Sequence, residues 1–166
     1  MGRKGTYKCF KCDFEIESND LTFYLTTMDS PIEEMGLMFS TANYFEKSII
    51  NGFVDIAYCG CGHIHKNYRI YGIKPPLTEE EALEIVSKKI KPTRKISELL
   101  DDNETYDIYS SVGVSGSVTM REFIDEPIFC PECNSEMITE EDLEGEIKCP
   151  SCGKGRMLCT NSVMYD

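Results

Sequence analysis

The sequence lacks tryptophan and holds only two histidines among its 166 residues. No apolar run approaches the roughly 20 residues that cross a bilayer, and the first residues contain no apolar stretch typical of a secretory leader. We therefore expect a cytoplasmic protein with no membrane association. In that reducing compartment, paired cysteines indicate metal ligands more often than disulfides.

Catalytic motifs are also missing. The sequence contains no Ser-His-Asp pattern, no H-E-x-x-H, no phosphate-binding loop followed by G-K-[ST], and no dinucleotide fingerprint. Carboxylates are abundant, but without a recognisable spacing they indicate a solvated surface. These absences favour a non-catalytic protein, with no catalytic and no organic-cofactor residues assigned.

Positive charge is scarce as well. The sequence has 17 Lys and Arg and 29 Asp and Glu, so its net charge is −12. Such a polyanion is not drawn to nucleic acid by its overall field. The charge is uneven, however. Basic residues gather at Arg3, Lys4, Lys8 and Lys11 and again over 88–95, whereas 132–146 is strongly acidic.

What the sequence does have is cysteine. Eight of the nine cysteines form four close pairs: Cys9/Cys12, Cys59/Cys61, Cys130/Cys133 and Cys149/Cys152. The last two pairs form a C-x2-C-x15-C-x2-C array, a spacing that predicts one tetrahedral structural zinc site. A turn at Gly60 and Gly62 would bring Cys59 and Cys61 together, so the first two pairs are expected to form a second, all-cysteine site. The sequence therefore predicts two zinc ions, with iron as the less favoured metal.

The segment 127–166 resembles the zinc-ribbon superfamily, on the two turns Cys130-Pro131-Glu132-Cys133 and Cys149-Pro150-Ser151-Cys152. The resemblance implies two metal-binding knuckles around a short hairpin, with Asn134 and Gly153 in the tight backbone conformations. Zinc ribbons serve in transcription, in translation, in RNA modification and as structural appendages, so the resemblance does not select a function.

Three other potential ligands need an interpretation. His63 and His65 follow the second cysteine pair, and substitution of a cysteine ligand by His63 is left open as an alternative. The favoured interpretation places both histidines on a strand, with His65, Lys66 and Arg69 on an exposed polar face. Cys159 is expected to be a buried strand residue, the usual fate of an unpaired cysteine.

The fold class predicted is α+β, with two small zinc-ribbon units joined by a helix-and-strand middle. We expect an N-terminal ribbon with a helical insertion over 1–74, a connecting region over 75–126 and a C-terminal ribbon over 127–166. Helices are predicted from the capping signals at Ser30-Pro31-Ile32-Glu33 and Thr78-Glu79-Glu80-Glu81, and over 41–50. Pro92 is expected to end the second capped helix, a short helix is expected over 94–100, and strands are expected at 53–58, 65–73 and 111–120.

The leading functional hypothesis is a protein-interaction adaptor or an accessory subunit of a larger assembly, with a protein partner of unknown identity. Zinc enclosed by four thiolates supplies structure and leaves no position for chemistry. A nucleic-acid-associated factor is the alternative, using Arg3, Lys4, Lys8, Lys11 and Arg69 around an aromatic-rich knuckle. A redox or metal-handling protein is the second alternative.

Overall fold

The computed structural model describes residues 2–37, 41–98, 104–114 and 126–165, and no side chain is described for 91–98. Strands dominate and helices are few, so the predicted α+β class is confirmed. The strands of the described residues are β1 Gly2–Cys9, β2 Glu15–Asn19, β3 Leu21–Leu25, β4 Glu33–Gly36, β5 Ile50–Tyr58, β6 Ile64–Ile73, β7 Glu104–Ser110, β8 Ile138–Thr139 and β9 Met157–Tyr165. The helices are α1 Thr41–Lys47, α2 Glu79–Glu98 and α3 Glu140–Glu144.

The larger sheet has the strand order β4-β3-β5-β6-β7, with the short β8 also paired to β5. β5 and β6 form a long antiparallel hairpin, whose pairing runs from Ile50 opposite Ile73 to Tyr58 opposite Ile64. β6 and β7 are parallel. Parallel neighbours need a crossover connection, and α2 lies in it and contacts both strands.

The smaller sheet has the order β2-β1-β9, so the N-terminal strand lies in its centre and β9 at one edge. β1 pairs with β9 from Gly2 opposite Tyr165 to Cys9 opposite Met157. Its inner face buries Tyr7, Ile16 and Met157. The first and last of the three predicted segments therefore contribute strands to the same sheet.

One continuous core joins the two sheets. Phe23, Leu25 and Ile50 of the larger sheet are fully buried, and Ala82 and Val86 bring the apolar face of α2 against them. The four-residue spacing of Ala82, Val86 and Ile90 places them on one side of the helix. This face is the one that the sequence pattern predicts.

The capped start of α2 is confirmed. The Thr78 backbone N–H donates to Glu81 Oε2 at 2.9 Å, and the Glu81 N–H donates to Thr78 Oγ1 at 3.2 Å. The predicted end at Pro92 is wrong, and so is a separate helix from 94, because α2 continues to Glu98. Proline removes one N–H donor from a helix, but the turns on either side can still form their own hydrogen bonds.

The helix predicted from the capping signal at Ser30 is wrong, because Glu33–Gly36 forms β4 and pairs with β3. Tertiary contacts override the local signal there. Glu33 accepts a hydrogen bond from the Tyr24 hydroxyl, and Glu34 accepts one from the Tyr68 hydroxyl. Residues 38–40, which follow β4, lie outside the described part of the chain.

The remaining predictions of local structure have mixed outcomes. The helix expected over 41–50 forms as Thr41–Lys47, and the strands expected at 53–58 and 65–73 form within β5 and β6. β7 was not predicted. Of the strand expected over 111–120, residues 115–120 lie outside the described part, and 111–114 form a turn after β7. Among the described helices, none is long and apolar enough to cross a membrane.

Candidate metal centres

The structure brings the eight paired cysteines into two groups of four, in each of which the sulfur atoms lie within 4.8 Å of one another. Site A consists of Cys9, Cys12, Cys149 and Cys152. Site B consists of Cys59, Cys61, Cys130 and Cys133. The grouping predicted from the sequence is therefore wrong: each site takes one pair from the N-terminal half and one from the C-terminal array.

Strand pairing between distant segments explains why each site combines one N-terminal pair of cysteines with one C-terminal pair. Because β1 pairs with β9, Cys9 lies opposite Met157, and the turns that follow β1 and precede β9 meet at the same end of the smaller sheet. Site A lies at that end. In the larger sheet, β8 pairs with Ala57 and Tyr58 at the end of β5. The turn containing Cys130 and Cys133 is thereby placed beside Cys59.

The sulfur geometry fits a tetrahedral metal ion. With metal–sulfur bonds of about 2.3 Å, ligand sulfurs around one tetrahedral ion lie about 3.8 Å apart. In site A, the Sγ atoms of Cys9 and Cys152 are 3.7 Å apart, as are those of Cys12 and Cys149. The corresponding distances in site B are 3.3 Å between Cys59 and Cys133 and 3.6 Å between Cys61 and Cys130. Both sites could each hold one ion.

The backbone of each turn is closed by hydrogen bonds from its first cysteine. In site A, the Cys9 N–H donates to the Phe14 carbonyl at 3.0 Å, and the Cys149 N–H donates to the Gly155 carbonyl at 2.8 Å. In addition, the Lys11 N–H points at Cys9 Sγ, 3.3 Å away. Such N–H groups directed at sulfur stabilise the thiolate form that binds metal.

Site B uses the same kind of turn. The Cys59 N–H donates to the His63 carbonyl, and the Cys130 N–H donates to the Ser135 carbonyl, each at 2.9 Å. Asn134 has a φ of 57°, and Gly153 at the equivalent turn of site A has a φ of 64°. The predicted tight conformations at these two positions are confirmed.

The two sites differ in exposure. In site A, Cys9 and Cys149 are buried and the other two sulfur residues are half-buried. In site B, Cys59 and Cys130 are buried, but Cys61 and Cys133 are exposed to solvent. A metal ion in site B would therefore be the more accessible to chelators.

Local hydrogen bonds lower the pKa of some of these thiols, whereas burial raises the pKa of others. The hydrogen bonds that Ser135 makes with its sulfur lower the pKa of Cys133 to about 6. The backbone N–H groups of Lys154 and Gly155 lower the pKa of Cys152 to about 6 as well. Burial instead raises the pKa of Cys59 to about 12. Hydrogen bonding thus favours the thiolate form, which captures a metal ion, at one sulfur in each site.

The turns of the two sites touch. A Cβ atom placed on Gly60 would lie 2.3 Å from the Pro150 carbonyl oxygen and 2.7 Å from the Ser151 nitrogen. Only a residue without a side chain allows this approach. The turn between the two ligands Cys59 and Cys61 is therefore packed against the backbone between two ligands of site A.

Neither histidine belongs to a metal group within the described residues. His63 Nε2 lies 2.9 Å from Thr105 Oγ1, and His65 Nδ1 lies 2.7 Å from the same oxygen. The other ring nitrogen of His65 lies 3.1 Å from Asp107 Oδ2. Burial lowers the pKa of His65, with the Asp107 carboxylate opposing that effect.

The exposed polar face predicted for this strand is wrong. His65 and Arg69 are each only 9 % exposed, because β7 pairs alongside β6 at these positions. Arg69 Nε donates to Asp55 Oδ2 at 2.9 Å, and its guanidinium lies 5.2 Å from the Phe53 ring centre. Arg69 is thereby removed from the surface that the sequence assigned to nucleic acid.

The expectation for Cys159 is also wrong, because this residue is exposed on β9. It lies on an edge strand, and its Sγ contacts the Asn161 carbonyl oxygen at 3.4 Å. Burial at this position would require a further layer over β9, and none lies there among the described residues.

Comparisons with protein-family models, with curated proteins and with solved structures return no match. The resemblance of 127–166 to zinc ribbons therefore remains a prediction from its cysteine turns.

Proposed function

We propose that sites A and B each hold a structural zinc ion and that the chain is a non-catalytic interaction module, an adaptor or an accessory subunit. The observation that carries this proposal is the closure of both sites by four sulfur ligands each. A catalytic zinc keeps one coordination position for water or substrate, whereas a zinc with four thiolates has none.

Metal binding would stabilise this fold at its weakest points. The smaller sheet has only three strands, and its core face is small. Small sheets of this kind gain stability from metal ions that cross-link distant segments, because ligand binding free energy is then folding free energy. Site A joins the two ends of the described chain, and site B joins the β5–β6 hairpin to the 130–133 turn.

The surface that we assign to a protein partner is the outer edge of β9. Within the described residues this strand is paired on one side only, with β1, and it exposes Val163 and Met164 by 46 % and 63 %. An unpaired edge offers backbone N–H and C=O groups to an added strand. Val163 and Met164 are consecutive, so they offer that strand one apolar contact on each face of the sheet. With a net charge of −12, the chain attracts a basic segment in preference to an acidic one.

The metal is tested first. Elemental analysis together with native mass spectrometry of the purified chain should give two zinc ions per molecule. One ion per molecule, or iron with visible absorbance, would contradict the metal assignment.

The interaction is tested by affinity capture with two variants. Val163→Lys/Met164→Lys should lose the captured protein, because charge replaces the apolar contacts of the β9 edge. The matched control Met28→Lys/Tyr44→Lys alters two other exposed apolar residues and should retain it. Equal capture by both variants would show that the β9 edge is not the partner surface.

A further inference from the structure

Five basic residues that flank the ligands of site A are exposed and share one surface. They come from two segments that lie far apart in the chain: Lys8, Lys11, Lys148, Lys154 and Arg156. We call this surface the site A basic patch.

Gly155 and the pairing of β1 with β9 make the two segments neighbours, and a bridge within the second segment brings its two ends together. A Cβ placed on Gly155 would lie 2.3 Å from Cys9 Sγ and 3.0 Å from Lys11 Cβ. Lys11 therefore stands beside the residue that separates Lys154 from Arg156. In addition, Lys148 pairs with Arg156 in a β-bridge, and Lys8 lies opposite Leu158 between β1 and β9.

The patch offsets the negative charge of the protein locally. The segments 8–15 and 146–156 hold five cations against the three carboxylates Asp13, Glu15 and Glu146. The corresponding segments around site B, 58–63 and 128–136, hold no Lys or Arg and contain Glu132 and Glu136. The excess of cations is therefore specific to site A, and it balances the charge of about −2 that a zinc ion with four thiolates carries.

Most of these cations are available to a ligand. Lys8 and Arg156 form ion pairs with Glu15 at 2.6 Å and Glu146 at 2.8 Å. Both pairs are well exposed, so each contributes little and can be exchanged for a contact with a phosphate. All five basic side chains can thus reach an anion on this surface.

An exposed aromatic side chain lies between two of these cations, Lys8 and Lys11, in the chain. Phe10 lies between Cys9 and Lys11 at the tip of the turn and is 73 % exposed. Its backbone is held by the hydrogen bond from Cys9 to Phe14 and by the contact of the Lys11 N–H with Cys9 Sγ. A ring that is exposed yet rigidly mounted is a platform on which a flat ligand can stack.

We propose that the site A basic patch binds single-stranded nucleic acid, with a base stacked on Phe10 and the backbone phosphates contacted by Lys11, Lys148 and Lys154. Phosphate contacts combined with stacking on an aromatic side chain characterise sequence-tolerant recognition of single strands. Among the residues that the structure describes, no long helix lies beside the turn to enter the groove of a duplex. The patch lies at the Met157 end of β9, whereas the proposed protein contact uses Val163 and Met164, so this inference goes beyond the adaptor function and does not depend on it.

The test is a fluorescence anisotropy titration of the zinc-loaded full chain. The probes are labelled mixed-sequence single strands of DNA and RNA and a duplex of the same length, each at a low and a moderate salt concentration. Wild-type protein should bind the single strands more tightly than the duplex, and binding should weaken as salt rises.

Charge reversal tests the phosphate contacts. Lys11→Glu/Lys154→Glu should weaken binding at least about tenfold and reduce the salt dependence by about one to two phosphate contacts. The control Lys47→Glu/Lys74→Glu makes the same change in net charge at two exposed lysines outside the patch and should bind nearly as wild type. Zinc content is measured for each variant. If the reversal disturbs site A, Lys11→Gln/Lys154→Gln should still weaken binding.

Truncation of the aromatic ring tests stacking. Phe10→Ala should weaken binding about tenfold without changing its salt dependence, because it removes base stacking and no charge. Phe129→Ala is the matched control, since Phe129 is 54 % exposed and stands beside a ligand of site B, where cations are absent.

Four results would overturn the proposal. These are no binding by the wild type at low salt, tighter binding of the duplex, equal losses in the patch and control variants, and self-association that accounts for the patch. Self-association is detected by sedimentation. In that case the patch of one copy would contact the acidic surface of site B in a second copy, so the wild type would form a dimer and Lys11→Glu/Lys154→Glu would dissociate it. Loss of two-zinc stoichiometry would instead contradict the adaptor proposal, so the two failures are distinguishable.

Discussion

Replacement of Glu140 by glutamine should stabilise the protein, and the gain should grow with pH. Glu140 is the first residue of α3, between the two sheets. Its Oε1 accepts hydrogen bonds from the Ser18 hydroxyl at 2.9 Å and from the Tyr58 hydroxyl at 3.4 Å. Burial raises the pKa of this carboxyl from 4.5 to about 8, opposed by the Ser18 hydrogen bond and assisted by the nearby charges of Asp20 and Asp55.

The sign follows from linkage between protonation and folding. Between pH 4.5 and about 8, the folded state retains a proton on Glu140 that the unfolded state has released, so stability falls as pH rises through this window. At about 1.4 kcal/mol per pKa unit, the loss between pH 6 and pH 8 amounts to about 2 kcal/mol. Glutamine has no proton to lose, and its Oε1 can accept both hydrogen bonds, so Glu140→Gln should escape this loss.

The assay is urea unfolding of wild-type and variant protein at pH 6, 7 and 8, monitored by circular dichroism. Taking the difference between the two proteins at each pH cancels the pH dependence that metal binding contributes to both. The advantage of Glu140→Gln should increase by about 2 kcal/mol from pH 6 to pH 8. Glu132→Gln, which removes an exposed carboxylate, is the matched control. A constant or shrinking advantage for Glu140→Gln would refute the reasoning.

Two further predictions concern the metal sites. Cys9→Ser/Cys149→Ser should retain one metal ion per molecule, because both substitutions fall in site A, whereas Cys9→Ser/Cys130→Ser should retain none; native mass spectrometry distinguishes the two outcomes. Gly60→Ala should lower the free energy of unfolding by about 2 kcal/mol or more, because its added methyl group would overlap the Pro150 carbonyl, and urea unfolding measures this loss.

A specific result would contradict each of these two predictions. If the ligands were grouped as they follow one another in the chain, Cys9→Ser/Cys149→Ser would lose both ions, and Cys9→Ser/Cys59→Ser would keep one. For the packing of the two turns, Gly145→Ala is the control, since the nearest atom to its added Cβ lies 3.5 Å away. A Gly60→Ala variant as stable as the Gly145→Ala variant would show that the turns of sites A and B do not restrain each other.

The sequence by itself determined the features that depend on neighbours within a few residues. Three Cys-x-x-Cys turns and the Cys59-Gly60-Cys61 turn direct two sulfurs each to one point through local backbone geometry, so all eight cysteines of the two groups could be identified without a structure. The capping box at Thr78 and Glu81 and the apolar spacing of Ala82 and Val86 are similarly local, and α2 begins where they predict.

Only the tertiary structure decided which turns share a site. A turn presents two of four ligands, and its complement is chosen by strand pairing between segments more than a hundred residues apart, as for β1 and β9. The pairing of β6 with β7 placed His65 and Arg69 beside a neighbouring strand, and the pairing of β1 with β9 brought Lys11 close to Lys154. Residue spacing does not predict which distant strands and turns become neighbours, because the free energy that selects them comes from strand pairing in the two sheets and from burial in the common core.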